Sequence, residues 1–250
     1  MRPSTRPRLN TGLVHYLVRR GLQRQRLTWR DLNAEKRVLC PEEEAEQQAA
    51  VYLDGQLDRV KQVQEDTNWE WEMKRISART VTHGASIAVK LENAQLIEGT
   101  LFAGGARIPL AWGSTSLRQS LRLLSLEQLP KASIPTTLYG SRYFGHRILD
   151  DMLAGLAAES AHLPPLYWVD DRRPITEHVR FYLEALGLPS RAVRSASIDE
   201  LWFFPHDFPL NSHKRRRLAL LRERVQQRVT TRRTGHGVFF RRRGAGVPRG

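Results

Sequence analysis

At 250 residues, 40% hydrophobic and 26% charged, the chain has the size and composition of one large or two small globular domains. No run nears the ~18 apolar residues of a membrane-spanning helix, nothing at the N-terminus reads as an export signal, and a lone cysteine, Cys40, excludes a disulfide framework or a cysteine-rich zinc site. The net charge of +14 is divided unevenly, +8 over residues 1–30, −6 over 31–213 and +12 over 214–250, which excludes a body that grips duplex nucleic acid throughout.

Two basic ends around an acidic centre fit an enzyme whose flanks seek phosphate or an anionic membrane surface. At the first end, Leu13, Val14, Leu17, Val18 and Leu22 recur at helical spacing among Arg19, Arg20, Arg24 and Arg26. Such a helix either lies on an anionic membrane or docks on the body with its cationic face in water. Pro41 and the three glutamates after it predict a second helix that runs into the 60s, with Leu53, Leu57 and Val60 as its stripe. Residues 1–80 are thus expected to form a basic and amphipathic helical region. Trp69 and Trp71 read as packing residues.

Near residue 80 the period changes from helix to strand. Ile87, Val89 and Leu91 alternate with Ser86, Ala88 and Lys90, and Gly104-Gly105 separates two further apolar segments, so 85–111 is expected to be a small antiparallel β unit. Beyond residue 130, candidate strands near 135–139, 166–169, 200–204 and 237–241 alternate with candidate helices near 145–160, 174–186 and 213–229. Gly187 closes the second of these helices and Ser212 can cap the third. The alternation predicts an α/β fold with a mostly parallel sheet. Lys214–Arg217 place four cations at the positive end of a helix, a surface run or a hint of an anionic partner.

One stretch carries chemistry. Tyr139 to Asp151 lies where a strand hands over to a helix, the edge at which open α/β proteins bind ligands. Its glycines permit a tight turn. His146 and Asp150 are four apart and share a helix face, so the carboxylate can fix the imidazole tautomer as a general base requires. Asp151 lies four from Arg147. His206, Asp207 and His213 lack metal-ligand spacing, and no metal is expected.

The segment Tyr143-Phe144-Gly145-His146-Arg147-Ile148-Leu149-Asp150-Asp151 resembles the tyrosine-phenylalanine-glycine-histidine-tryptophan-leucine-x-aspartate-aspartate signature of glycosyltransferase family 61. Ser86–Leu110, Pro165–Leu188, Leu201–Pro209 and Gly237–Gly244 are similar to the family's flanking segments, so the resemblance covers roughly residues 80–250. Arg147 stands where the family has tryptophan. The resemblance implies the N-terminal Rossmann-like half of a GT-B-type enzyme over 81–250, with a Rossmann-like part at 131–242. The C-terminal donor domain would be absent, lost or supplied by a separate chain.

The same resemblance implies transfer of a sugar from a nucleotide-sugar donor to a glycan or lipid-linked acceptor in polysaccharide biosynthesis. It places that work in the cytoplasm or peripherally at the inner membrane surface, and calls for no cofactor. By it, His146 is the general base, Asp150 its orienter or an acceptor-hydroxyl partner, and Asp151 a supporting carboxylate. Tyr143, Arg242 and Arg243 are the substrate-side candidates. The charge distribution leaves a second reading, a non-catalytic basic remnant that binds nucleic acid or an anionic membrane through its two ends.

Overall fold

The structure is a computed structural model that describes residues 11–22, 27–60, 62–63, 67–112, 126–170, 175–189, 191–205 and 210–229. The predicted strand at 237–241 and residues 206–209 lie outside them. The main sheet is organised by β4 (Ser86–Ile97), whose twelve residues reach both halves of the fold. β10 (Ser195–Phe203) runs antiparallel along one edge of β4. Along the other edge lie β1 (Lys36–Cys40) and β5 (Thr100–Ala103), both antiparallel. β6 (Ala106–Pro109) extends the sheet beyond β5, and β7 (Glu127–Ile134) pairs in parallel with β10. The order is β6-β5-β4-β10-β7.

The sheet is therefore mixed, not mostly parallel as the alternation of elements predicts. The antiparallel unit and the α/β layer are one surface, because β4 is long enough to pair with β10 over its whole length. Among the described residues, parallel pairing is confined to β7 with β10, to β8 (Trp168–Val169) with β9 (Ala192–Val193), and to two isolated bridges, Leu27 to Ala106 and Ser133 to Leu166. Pro130 is tolerated in β7, at one end of the sheet order, where one edge needs no ladder donor. The strand expected at 135–139 ends at Ile134, and the residues after it form the turn described below.

Period-two alternation separates two cores. Leu201 and Phe203 join Leu96, Leu101 and Ile198 on one side, while Trp202 and Phe204 face a helical layer. That layer is α3, α4 and α5. α3 is continuous from Phe144 to Ser160, with a π-helical segment at Arg147–Met152 between α-helical Phe144–His146 and Leu153–Ser160. α4 is Glu177–Leu186, capped by Thr176 and closed by Gly187 in the left-handed conformation at φ 68°. α5 is Ser212–Arg228, and its cap is Asn211, one residue before the predicted Ser212.

Before residue 80, the helix expected to start at Pro41 does not form. Glu43 and Glu44 sit in β2 (Glu43–Glu46), paired with β3 (Thr80–His83), so cross-strand pairing overrides their fitness for a helix start. Of the stripe meant for that helix, Leu53 and Val60 are exposed and Leu57 falls in a single 3-10 turn, Leu57–Arg59. Trp69 and Trp71 also face solvent, on α2 (Trp69–Ser77), which buries none of its residues. At the N-terminus, α1 (Thr11–Leu22) docks through Leu13 and Tyr16 on Ile97 and Phe102, and Val14 and Val18 stay exposed. Gln95 Oε1 accepts from Leu13 N at 3.1 Å, and a Cβ at Gly12 would lie 2.8 Å from that oxygen. Cys40 is a buried thiol opposite Ser86.

Because Leu96 is fully buried where β4 meets both β5 and β10, Leu96→Ala leaves a cavity in the shared strand. Urea denaturation is expected to show a loss of about 2–5 kcal/mol; a variant within 0.5 kcal/mol of the parent, on the scale of about that size for surface changes, would refute the role given to β4.

Candidate functional site

The turn 138–142 delivers the chain from the carboxyl end of β7 into α3. In the π segment three consecutive residues, Asp150, Asp151 and Met152, are buried, and burial continues through Leu153 to Ala158 in the α-helical turns that follow. Met152 joins the helical core. The two carboxylates go opposite ways.

Asp150 faces α5. Its Oδ2 lies 2.7 Å from His146 Nδ1, and its Oδ1 accepts from Lys214 Nζ at 2.7 Å. The Lys214 side chain is only 2% exposed and that of His146 45%, so the line of groups runs from the interior to the surface. In the tautomer with its proton on Nδ1, the His146 imidazole donates to the Asp150 carboxylate and carries its lone pair on Nε2. Such an imidazole accepts a proton there, while the carboxylate steadies the imidazolium that forms. Lys214 is itself fixed from the backbone, because Asn211 Oδ1 accepts from its N–H at 2.9 Å and Asn211 Nδ2 donates to Ser86 Oγ at 2.9 Å on β4.

Asp151 faces the turn. Its Oδ1 accepts from Thr137 N at 2.9 Å and Thr137 Oγ1 at 2.7 Å, and its Oδ2 has no hydrogen-bond partner among the described residues. Burial pushes its carboxyl up to about 7, against the pull of Arg147 and the two Thr137 hydrogen bonds, and the charge of Asp150 adds to the rise. The carboxylate packs so closely on Gly140 that a Cβ there would lie 2.2 Å from it. Asp151 is thus a positioning residue that holds the turn.

Arg147, four residues before Asp151, donates from Nε to Gly140 O at 3.0 Å. It ties the helix back to the turn and supplies charge beside a buried carboxyl.

Two surfaces meet at this turn. One is a cleft of about 160 Å³ between residues 140–147, the end of β8 and the start of α4, into which Tyr143 and Arg147 look. The other is a collar of exposed rings around His146, with Tyr139 at 5.3 Å and Tyr143 at 6.0 Å between centroids, and Trp112 at 6.3 Å from Tyr139. His146 belongs to the collar and does not line the cleft. Of the sequence-predicted residues, the structure brings together Tyr143, His146, Asp150 and Asp151; Arg242 and Arg243 lie outside the described residues.

Lys214 and Thr137 are the participants that sequence reasoning missed, while Gly140 serves the tight turn expected of the glycines in this stretch. The Lys214–Arg217 run is only half a surface run: Arg215 and Arg216 are exposed, but Arg217 is buried and donates to Leu153 O at 2.7 Å. The signal was present, since 214, 217, 218 and 221 make one helical stripe that continues into leucines. Glu43 meets the same helix end by accepting from Ser212 N, which sets an anion at the positive pole beside those cations.

No protein-family model, curated protein or solved structure matches this chain.

Lys214→Met leaves Asp150 with an uncompensated buried charge and is expected to cost about 3–5 kcal/mol in denaturant titration. The double variant Lys214→Met, Asp150→Asn should recover much of it; no recovery means the two side chains are not a pair. A second test uses pH. The folded chain holds the Asp151 proton up to about 7 while the unfolded chain releases it near 3.8, so this group's contribution to stability is full below 3.8 and is lost as pH rises to about 7. Asp151→Asn should remove that slope, on the order of 4 kcal/mol at most, from the pH series of thermal melts, and an unchanged slope would count against the assignment.

Proposed function

We propose that this chain is a glycosyltransferase domain in which His146 is the general base that activates an acceptor hydroxyl. The observation that carries the reading is the line His146–Asp150–Lys214, with both hydrogen-bonded distances at 2.7 Å and the charge of Asp150 held in place from the interior. The signature resemblance supplies the reaction: His146 Nε2 takes the proton of an acceptor hydroxyl and the oxygen attacks the anomeric carbon of a nucleotide-sugar. The bond from that carbon to the diphosphate breaks, with inversion, and a nucleoside diphosphate leaves. Asp150 orients the imidazole and balances its positive charge after proton transfer.

The collar supports a sugar as the acceptor. Tyr139 and Tyr143, both partly exposed, offer flat apolar faces with polar edges beside the base, and a pyranose ring presents the matching apolar face and hydroxyl rim. The acceptor is a glycan or a lipid-linked glycan, and a basic flank suits a site of work near an anionic membrane surface. Among the described residues, no helix is long and apolar enough to cross a membrane.

The test is release of nucleoside diphosphate by the full chain from a panel of nucleotide-sugars, with polysaccharide acceptors present. His146→Ala is expected to lower kcat by about 10²–10⁴-fold with little change in the melting temperature, since His146 is half exposed. Asp150→Asn should lower it too, by loss of the correct tautomer. Turnover that is equal in His146→Ala and the parent overturns the assignment.

A further inference from the structure

The cleft beside the collar is built differently from it, and its chemistry is that of an anion site. Among the described residues two arginines line it, Arg142, which is exposed, and Arg147, which is half-buried. Neither is a loose surface side chain. The Arg142 guanidinium lies 5.0 Å from the ring centroid of Trp112 and 5.5 Å from that of Tyr143, and Arg147 is tethered through Nε to Gly140 O. An arginine held in this way loses little freedom when its remaining N–H groups take up an oxyanion.

Trp168, Val169, Ile175 and Val179 add apolar wall. At about 160 Å³ the space is below the about 300–1,000 Å³ of pockets that engulf a drug-sized ligand. It suits a single charged head group. Asp170 lines the cleft as well, and its charge limits the site to one such group.

Behind Arg147 lies Asp151, which competes for the same positive charge and is sealed from solvent. We propose that this cleft binds a compact oxyanion, a phosphoryl or sulfate-like group, through Arg147 with Arg142 at its rim, and that Asp151 sets the occupancy by competing for Arg147. When Asp151 is protonated, the guanidinium answers to the ligand alone. When it is ionised, the ligand meets a shared charge and a second anion nearby. Binding and protonation of Asp151 therefore favour each other. The carboxyl is poised for this near neutral pH, because burial has carried it there. Among the described residues, the other charged groups around Asp151 and the cleft are Asp150, held by Lys214 and His146, Asp170, Glu177 at the start of α4, and His178, whose ring meets Phe144.

Calorimetric titration of the full chain with sodium sulfate tests this, because sulfate keeps its charge on both sides of neutrality. At fixed ionic strength, affinity is expected to be about tenfold tighter one pH unit below 7 than one unit above, within the usual range of such couplings. Asp151→Asn should bind with the tighter constant at both values, and Arg147→Gln should lose binding at both. If Arg147→Gln does not fold, the exposed Arg142→Gln takes its place, and a weakening of severalfold is expected. Sulfate binding that survives Arg147→Gln unchanged overturns the site. So does a pH slope that Asp151→Asn leaves intact, which would belong to His146 or His178. His146→Ala does not remove sulfate binding, so failure here is separable from failure of the glycosyltransferase reading.

Discussion

A carboxylate taken out of water must be met by charge and by hydrogen bonds, or it destabilises the fold by several kcal/mol. Asp150 is the point at which this constraint shapes the molecule. Its two oxygens are satisfied by His146 on its own helix and by Lys214 from α5, 64 residues later in the chain. To keep Lys214 in place, α5 must start where Asn211 reaches Ser86 on the central strand. One buried charge thus fixes the docking of two helices and their height against the sheet. The imidazole that reaches the surface is held by the same contacts.

Asp150 and Asp151 are chain neighbours with opposite electrostatic lives. The first has a partner on each oxygen, Lys214 Nζ on Oδ1 and His146 Nδ1 on Oδ2. The second has only hydroxyl and amide donors on one oxygen and an arginine at the side, so burial dominates and its carboxyl rises to about 7. Consecutive side chains on a helix point in different directions, and here one meets α5 and the other the turn. Arg147, one turn before Asp151, is the cation beside it.

What the sequence made legible was local. The His146–Asp150 spacing, the strand-to-helix handover, the antiparallel strands of 86–109 and the three late helices follow from period and capping chemistry, and the structure has them. What it did not show depends on partners far along the chain. The glutamates at 42–44 look like a helix start until β3 and Ser212 are there to receive them. A mostly parallel sheet is the natural expectation from alternating elements; that β4 and β10 pair antiparallel across a hundred residues leaves no local trace. Lys214 lies between, since its place on an inward stripe could be counted but the carboxylate awaiting it could not. The shared strand also gives residues 36–40 a place in the same sheet as 195–203.

The central strand carries a consequence for biosynthesis. β4 is translated early, yet its partner β10 emerges from the ribosome only about a hundred residues afterwards, and Asn211 and Lys214 later still. Throughout that interval one side of the nascent strand, with Val89, Leu91 and Leu96 on it, has no permanent neighbour and is a template for intermolecular pairing. A cell that makes this protein must shield that edge until the last helix is out, so chaperone supply and elongation rate bear on its yield as strongly as any feature of the finished fold.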